Sequence, residues 1–133
     1  MANSEKVTPV LECRNVSISY YTRAGEVPAV YDFNLTVNPG EAVGIVGESG
    51  CGKSTLARVL VGLQTPTSGE VLFRGKKLRY EAGTRRELGR AISVVFQDPA
   101  TALNPRMLVR EQLLDPLIVH GIGTPASRDA RVR

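Results

Sequence analysis

Residues Gly47-Glu48-Ser49-Gly50-Cys51-Gly52-Lys53-Ser54 fill every fixed position of the pattern G-x-x-x-x-G-K-[ST]. The segments on either side constrain the fold as much as the motif does. Ahead of it, Ala42 to Val46 is a short, nearly all-apolar run, the pattern of a strand buried on both faces. Behind it, Lys53 to Val61 predicts a helix with Leu56, Val59 and Leu60 on one face and Gly62 near its end. A buried-type strand, a glycine-rich loop and an amphipathic helix, in that order, point to the α/β class.

The residue types of the loop have a chemical reason. Glycines reach backbone angles that other residues resist, so successive N–H groups can turn inward into an anion nest. The helix that follows contributes free amides and the positive end of its dipole. Lys53 is a point charge for β- and γ-phosphates, and the Ser54 hydroxyl suits Mg²⁺ bridging them. Cys51 lies inside the loop, near a lysine and a helix start, a setting that suits a reactive thiol. The plainer reading of Cys51, a small side chain pointing outward, is preferred.

The rest of the chain reads as follows. Val10 to Tyr20 and Val30 to Val37 are strand-like, separated by a turn around Thr22–Gly25. Asn38-Pro39-Gly40 is turn chemistry. Glu70 to Phe73 is a short strand turning at Arg74-Gly75-Lys76, residues 81–90 form a short helix, and Ile92 to Phe96 is a second buried-type strand. A helix from about Met107 to Leu114 breaks at Pro116, and beyond Gly121 the chain turns polar. The fold class is therefore α/β: an N-terminal antiparallel β region followed by the start of a doubly wound core.

Composition narrows the function classes. At 133 residues the chain has room for one domain, with 42% hydrophobic and 23% charged residues. Residues 1–66 carry five Lys/Arg and six Asp/Glu; residues 67–133 carry twelve and seven. The basic excess is scattered rather than run together, as on an ordinary solvated surface. Cys13 and Cys51 are far apart without a C-x-x-C pair, so no disulfide framework or zinc site is legible, and a reduced, cytosolic setting is expected. Met1 to Thr8 lacks the apolar core of a signal peptide, and no apolar run has the roughly 18–20 residues a membrane span needs.

Beyond its fixed positions, Gly47 to Leu56 closely resembles the phosphate loop of ABC transporter ATPases. Pro39-Gly40-Glu41, Thr67-Ser68-Gly69-Glu70-Val71 and Val95-Phe96-Gln97-Asp98-Pro99 resemble three further family segments, the last being its Q-loop. Thr101-Ala102-Leu103-Asn104-Pro105-Arg106-Met107 resembles the branch that powers dipeptide, oligopeptide and nickel importers. The resemblance runs from about Val10 to His120. It implies a partial P-loop NTPase core with an N-terminal antiparallel β subdomain, residues 1–133 being the first part of one nucleotide-binding domain and its helical subdomain beginning at about residue 100.

The resemblance also implies site roles. Gly47, Glu48, Ser49, Gly50, Cys51, Gly52, Lys53, Ser54 and Thr55 would hold the phosphates of ATP, and Ser54 and Gln97 would bind Mg²⁺, with Gln97 sensing the γ-phosphate. Tyr20, with Tyr21 as the alternative, would stack on adenine. Residues after Gln97 would dock on transmembrane permease subunits, and a second ATPase subunit would complete a dimer on the cytoplasmic face of the inner membrane, with no nucleic acid involved. Leu108 and Arg110 depart from close relatives in the docking segment. The family's signature motif, its apolar strand ending in Asp-Glu and its switch histidine are not in this sequence; His120 is not read as that histidine. The implied function is ATP-driven import of peptides or a related small solute, with weak Mg-ATP binding and negligible turnover expected of these 133 residues alone. Two alternatives stand beside it: a non-catalytic nucleotide-binding remnant or interaction module, and a nucleic-acid ATPase using the basic second half, which strongly salt-dependent DNA binding would mark.

Overall fold

The structure is a computed structural model, and it describes residues 7–98 and 102–133. The chain divides into two compact units, residues 1–88 and 89–133.

The first unit is built on a four-stranded antiparallel sheet. Its strands are β1 (Leu11–Thr22), β2 (Gly25–Val37), β3 (Ser68–Phe73) and β4 (Lys76–Lys77), in the order β2-β1-β3-β4. A two-residue turn joins β1 to β2, Thr22 pairing with Gly25. Pro28 falls within β2, an edge strand, where its missing N–H costs least. The strands depart from simple alternation at Asn15. Cys13 pairs with Leu35 and Val16 with Phe33, so two residues of β1 oppose one of β2. This bulge moves the buried face from odd to even positions: Cys13 is buried, then Val16 and Ile18. Asn15 and Asp32 both adopt positive φ, and polar side chains repair the interrupted ladder. The Asn15 N–H donates to Asn34 Oδ1 at 2.9 Å, Asn15 Nδ2 donates to Asp32 Oδ1 at 2.7 Å, and the Asp32 N–H donates to Ser17 Oγ at 2.9 Å. Gly69 of β3 crosses close by. A Cβ there would fall 2.2 Å from the Asn15 carbonyl oxygen, and its φ of +80° suits glycine.

Helix α1 (Lys53–Leu60) lies on β1 and β2 with Leu56 and Val59 buried, one turn apart. Leu60, expected on the same face, is half-buried. The core consists of these two residues with Cys13, Val16, Ile18, Val71, Leu72, Leu78 and Leu88, the last from helix α2 (Ala82–Ala91). At ~25 cal/mol per Å² of apolar surface removed from water, such side chains contribute about 1.5–3 kcal/mol each before ordering costs.

The two expected buried-type strands are not formed. Neither 42–46 nor 92–96 pairs in a ladder among the described residues, and Val46 and Val95 are 96% and 94% exposed. The physical reason lies in strand pairing. A strand of this kind needs neighbours that satisfy its N–H and C=O groups, normally delivered by crossover connections. No described strand pairs with either run.

In the second unit, α3 (Val109–Val119) and α4 (Pro125–Val132) pack together, with Arg110 and Asp129 ion-paired between them. Pro116 does not break α3, contrary to the sequence reading. Its ring has helical φ and removes one N–H, so one bond is lost while the His120 N–H still reaches the Pro116 carbonyl at 3.1 Å. The polar tail is also helical, because Thr124 caps α4, accepting the Ser127 N–H at 3.3 Å, and Pro125 sits in the first turn. The Arg90 guanidinium donates to the His120 carbonyl, and Gly89 leaves room for the imidazole, where a Cβ would stand 3.3 Å from His120 Cε1.

Candidate functional site

The loop from Gly47 to Gly52 is exposed and rests against β2 at its far end. A Cβ on Gly52 would fall 2.3 Å from the Ala29 carbonyl oxygen and 2.9 Å from Val30 Cγ2. Gly50 and Gly52 take φ of +81° and +94°, where L side chains are strained. The Cys51 N–H donates to the Glu48 carbonyl at 3.3 Å, closing a turn. At the loop's start a Cβ on Gly47 would meet Cys51 Sγ at 2.5 Å, so the Cys51 thiol packs back over the loop instead of standing clear of it.

Helix α1 begins directly from this loop. Its first hydrogen bond runs from the Leu56 N–H to the Gly52 carbonyl at 2.8 Å. The N–H groups of Lys53, Ser54 and Thr55 therefore have no intrahelical acceptor. Gly52 brings no side-chain cap, and the first turn holds no acidic residue to compete with an anion. The helix dipole and these amides favour negative charge at this end. Lys53 folds back across the loop, its Nζ donating to the Gly47 and Glu48 carbonyls at 2.6 and 2.7 Å and lying 3.4 Å from Cys51 Sγ. The ammonium is thus held over the mouth of the nest. Ser54 is exposed in the same helical turn. A glycine-rich loop, an uncapped helix start and a lysine folded across the loop fit a polyphosphate.

Tyr20 and Tyr21 separate by face. Tyr20 continues the row Val16, Ile18, Tyr20 that points toward α1, and it is 40% exposed against 73% for Tyr21. The Tyr20 hydroxyl is 3.0 Å from Thr55 Oγ1 in the first turn of α1, and it meets the Gln64 amide oxygen at 3.5 Å. These two contacts, Thr55 first, hold its phenol below the ordinary tyrosine pKa. The structure thus brings Tyr20, Thr55 and the loop 47–54 together within the first unit. The meeting of Gln64 with Tyr20 was not legible in the sequence, since the two residues are 44 positions apart and Gln64 carries no motif signal.

Gln97 belongs to the second unit, where it is exposed in an irregular segment beside Asp98. Leu108 is exposed at the start of α3, its N–H donating to Glu111 Oε2 at 3.1 Å, and Asn104 donates its N–H to Gln112 Oε1 at 2.7 Å. Ala102, Leu103, Asn104, Pro105, Met107 and Gln112 line an open hollow of about 680 Å³ in this unit. Pro99 and Thr101 of the quoted segments lie outside the described residues. Among the described residues no group of three His, Cys, Asp or Glu side chains is placed to hold a metal, and no helix is long and apolar enough to cross a membrane.

A glycine nest at the start of a helix, with a lysine over it and a β-sheet behind it, defines an α/β nucleotide-binding domain of the phosphate-loop class. The comparison with known proteins gives the family: residues 30–133 match the model of the ABC transporter family, and the chain belongs to that family. The chain is 37% identical over 140 residues to the oligopeptide transport ATP-binding protein AppF of Bacillus subtilis, with 98% of this chain and 42% of that one covered. It is 40% identical over 108 residues to OppF of Haemophilus influenzae, covering 80% of this chain and 32% of that one. The chain therefore spans less than half the length of these curated relatives.

Among solved structures, the dimeric ATP-binding cassette MJ0796 bound to ADP and Pi superposes with a TM-score of 0.76 at 28% identity, over 92% of this chain and 53% of that one. CbiO1 of Clostridium perfringens, part of the ABC transporter complex CbiONQ, superposes at 0.72 with 27% identity, over 93% and 47%. The α/β class, with an antiparallel β region beside a partial ATPase core, follows from these likenesses and from the sheet described above.

Proposed function

We propose that residues 47–55 bind the phosphates of ATP, and that the protein to which they belong couples ATP binding and hydrolysis to import of peptides or a related small solute. The observation that carries this reading is the uncapped start of α1, fed by glycines at positive φ and overlain by the Lys53 ammonium. Backbone N–H groups of the loop and of Lys53, Ser54 and Thr55 would take the phosphate oxygens. Lys53 would exchange the Gly47 and Glu48 carbonyls for the β- and γ-phosphates. Tyr20 would offer its ring to the adenine. Mg²⁺, where bound, would neutralise charge on the β- and γ-phosphates, and the Ser54 hydroxyl has the hard oxygen chemistry to hold it.

Residues 1–133 are proposed as the first part of one nucleotide-binding domain, its helical subdomain starting near residue 100. Relatives named as oligopeptide transport proteins support the peptide substrate class. By the same analogy, the partners are a second ATPase subunit and transmembrane permease subunits, and the location is peripheral, on the cytoplasmic face of the inner membrane.

Titration calorimetry of this chain with Mg-ATP tests the core of the reading. Saturable binding is expected. Lys53→Ala is expected to weaken it by roughly ten- to a hundredfold, the worth of charge-assisted hydrogen bonds. Absence of binding, or binding that Lys53→Ala leaves undiminished, would overturn it.

A further inference from the structure

The Tyr20 hydroxyl makes a connection that stacking on a base does not require. It lies 3.0 Å from Thr55 Oγ1, in the turn of α1 whose amides face the loop, and 3.5 Å from both the oxygen and the nitrogen of the Gln64 amide, beyond the other end of that helix. The Gln64 backbone is anchored, its main-chain N–H donating to the Arg58 carbonyl at 3.2 Å. The following loop is stitched to β1 at two more points: the Ser19 N–H donates to Thr67 Oγ1 at 2.9 Å, and the Thr67 N–H donates to the Ser17 carbonyl at 2.9 Å. The end of β1, the first turn of α1 and the loop after α1 thus converge on one phenol. A ring carried near the end of an exposed hairpin would otherwise turn freely about χ1 and χ2.

We propose that Thr55 and Gln64 act as positioning residues for Tyr20, tying its phenol to α1 so that the ring is held in one orientation beside the phosphate loop for a purine base. The inference rests on the reading of residues 47–55 as an ATP site. It adds that the base and phosphate subsites are mechanically one piece, joined through Thr55, and that Gln64, outside every motif in the sequence, governs recognition of the base.

The test compares Mg-ATP with Mg-tripolyphosphate, which carries the phosphates without a base, by calorimetric titration of the 133-residue chain. Tyr20→Phe keeps the ring and removes the tether; Gln64→Met keeps the side-chain length and removes the amide. Each is expected to weaken ATP roughly three- to tenfold, the worth of a hydrogen bond or two, and to leave tripolyphosphate unchanged. Gln64→Glu, which retains an oxygen acceptor for the phenol, is expected to restore the ratio of the two affinities. Unchanged ATP affinity in both variants would overturn the proposal, as would equal weakening of both ligands, which would mark a general disturbance of the loop. A wild-type chain that binds both ligands equally tightly would refute the base platform while leaving the phosphate site standing. A wild-type chain that binds neither would remove the site and this inference together.

Discussion

The antiparallel sheet and the two short apolar runs at 42–46 and 92–96 are made of similar residues and meet opposite fates. Val16, Ile18 and Val71 are buried in the sheet, whereas Val46 and Val95 are almost fully exposed. Apolar character is the same in both places; the difference is pairing. β1 finds β2 across a two-residue turn and β3 on its other side, so its backbone groups are satisfied within the unit. Nothing described pairs with the apolar runs. Burial follows pairing, because a strand with unmet N–H and C=O groups cannot leave water cheaply.

The sharpest way to break this comparison is to cut the two kinds of apolar residue alike. Ile18→Ala, in the sheet, is expected to lower stability by about 2–5 kcal/mol in urea unfolding, through lost burial and a cavity. Next in size is Gly69→Ala. At φ +80° and against the Asn15 carbonyl, it is expected to cost roughly 1–3 kcal/mol by backbone strain, and more if β3 must shift. A moderate effect of that substitution on circular-dichroism melting, with the β1–β3 pairing kept, would sharpen the view of the bulge as a fitted joint.

Alkaline pH probes the same sheet from another side. Burial pushes the Cys13 thiol of β1 up to about 11, and the hydroxyl of Tyr80, which follows β4 and donates to the Val59 carbonyl of α1 at 3.3 Å, up to about 12. Both shifts are upward, so the stability they reflect is complete below pH 9 and is lost as pH rises toward 11–12, where the unfolded chain releases protons the folded one retains. Urea midpoints measured from pH 8 to 11 should fall, and Cys13→Ala should flatten the fall. The smallest effect is expected at the runs: Val95→Ala should stay within about 0.5 kcal/mol, since no packing is removed. A larger loss there would mean that the segment is packed in solution, and the contrast drawn above would fail.

Particular residues show how much of this was legible beforehand. The turn at 47–52 and the helix start behind it were legible, because Gly50 and Gly52 take backbone angles that suit glycine and α1 begins directly after them. So was the buried face of α1, through the spacing of Leu56 and Val59. The start of α4 was also written in the chain, as Thr124-Pro125 followed by Ser127, but the polar composition of the tail hid it. Pro116 misled in the opposite sense, since a proline late in a helix removes one bond without ending the helix.

What the sequence by itself determined is local: a glycine-rich turn whose angles at Gly50 and Gly52 suit glycine, a helix whose face repeats every three to four residues, and a lysine and serine at fixed offsets from both. The tertiary structure alone decided what depends on distant neighbours. It turned Tyr20 toward α1 and Tyr21 toward solvent by setting the face of β1 after the bulge at Asn15, brought Gln64 to a phenol 44 residues away, and left two apolar runs exposed for want of pairing. The division has a physical cause: backbone angles and helical periodicity are properties of adjacent residues, whereas strand pairing and side-chain contacts are properties of where the chain returns.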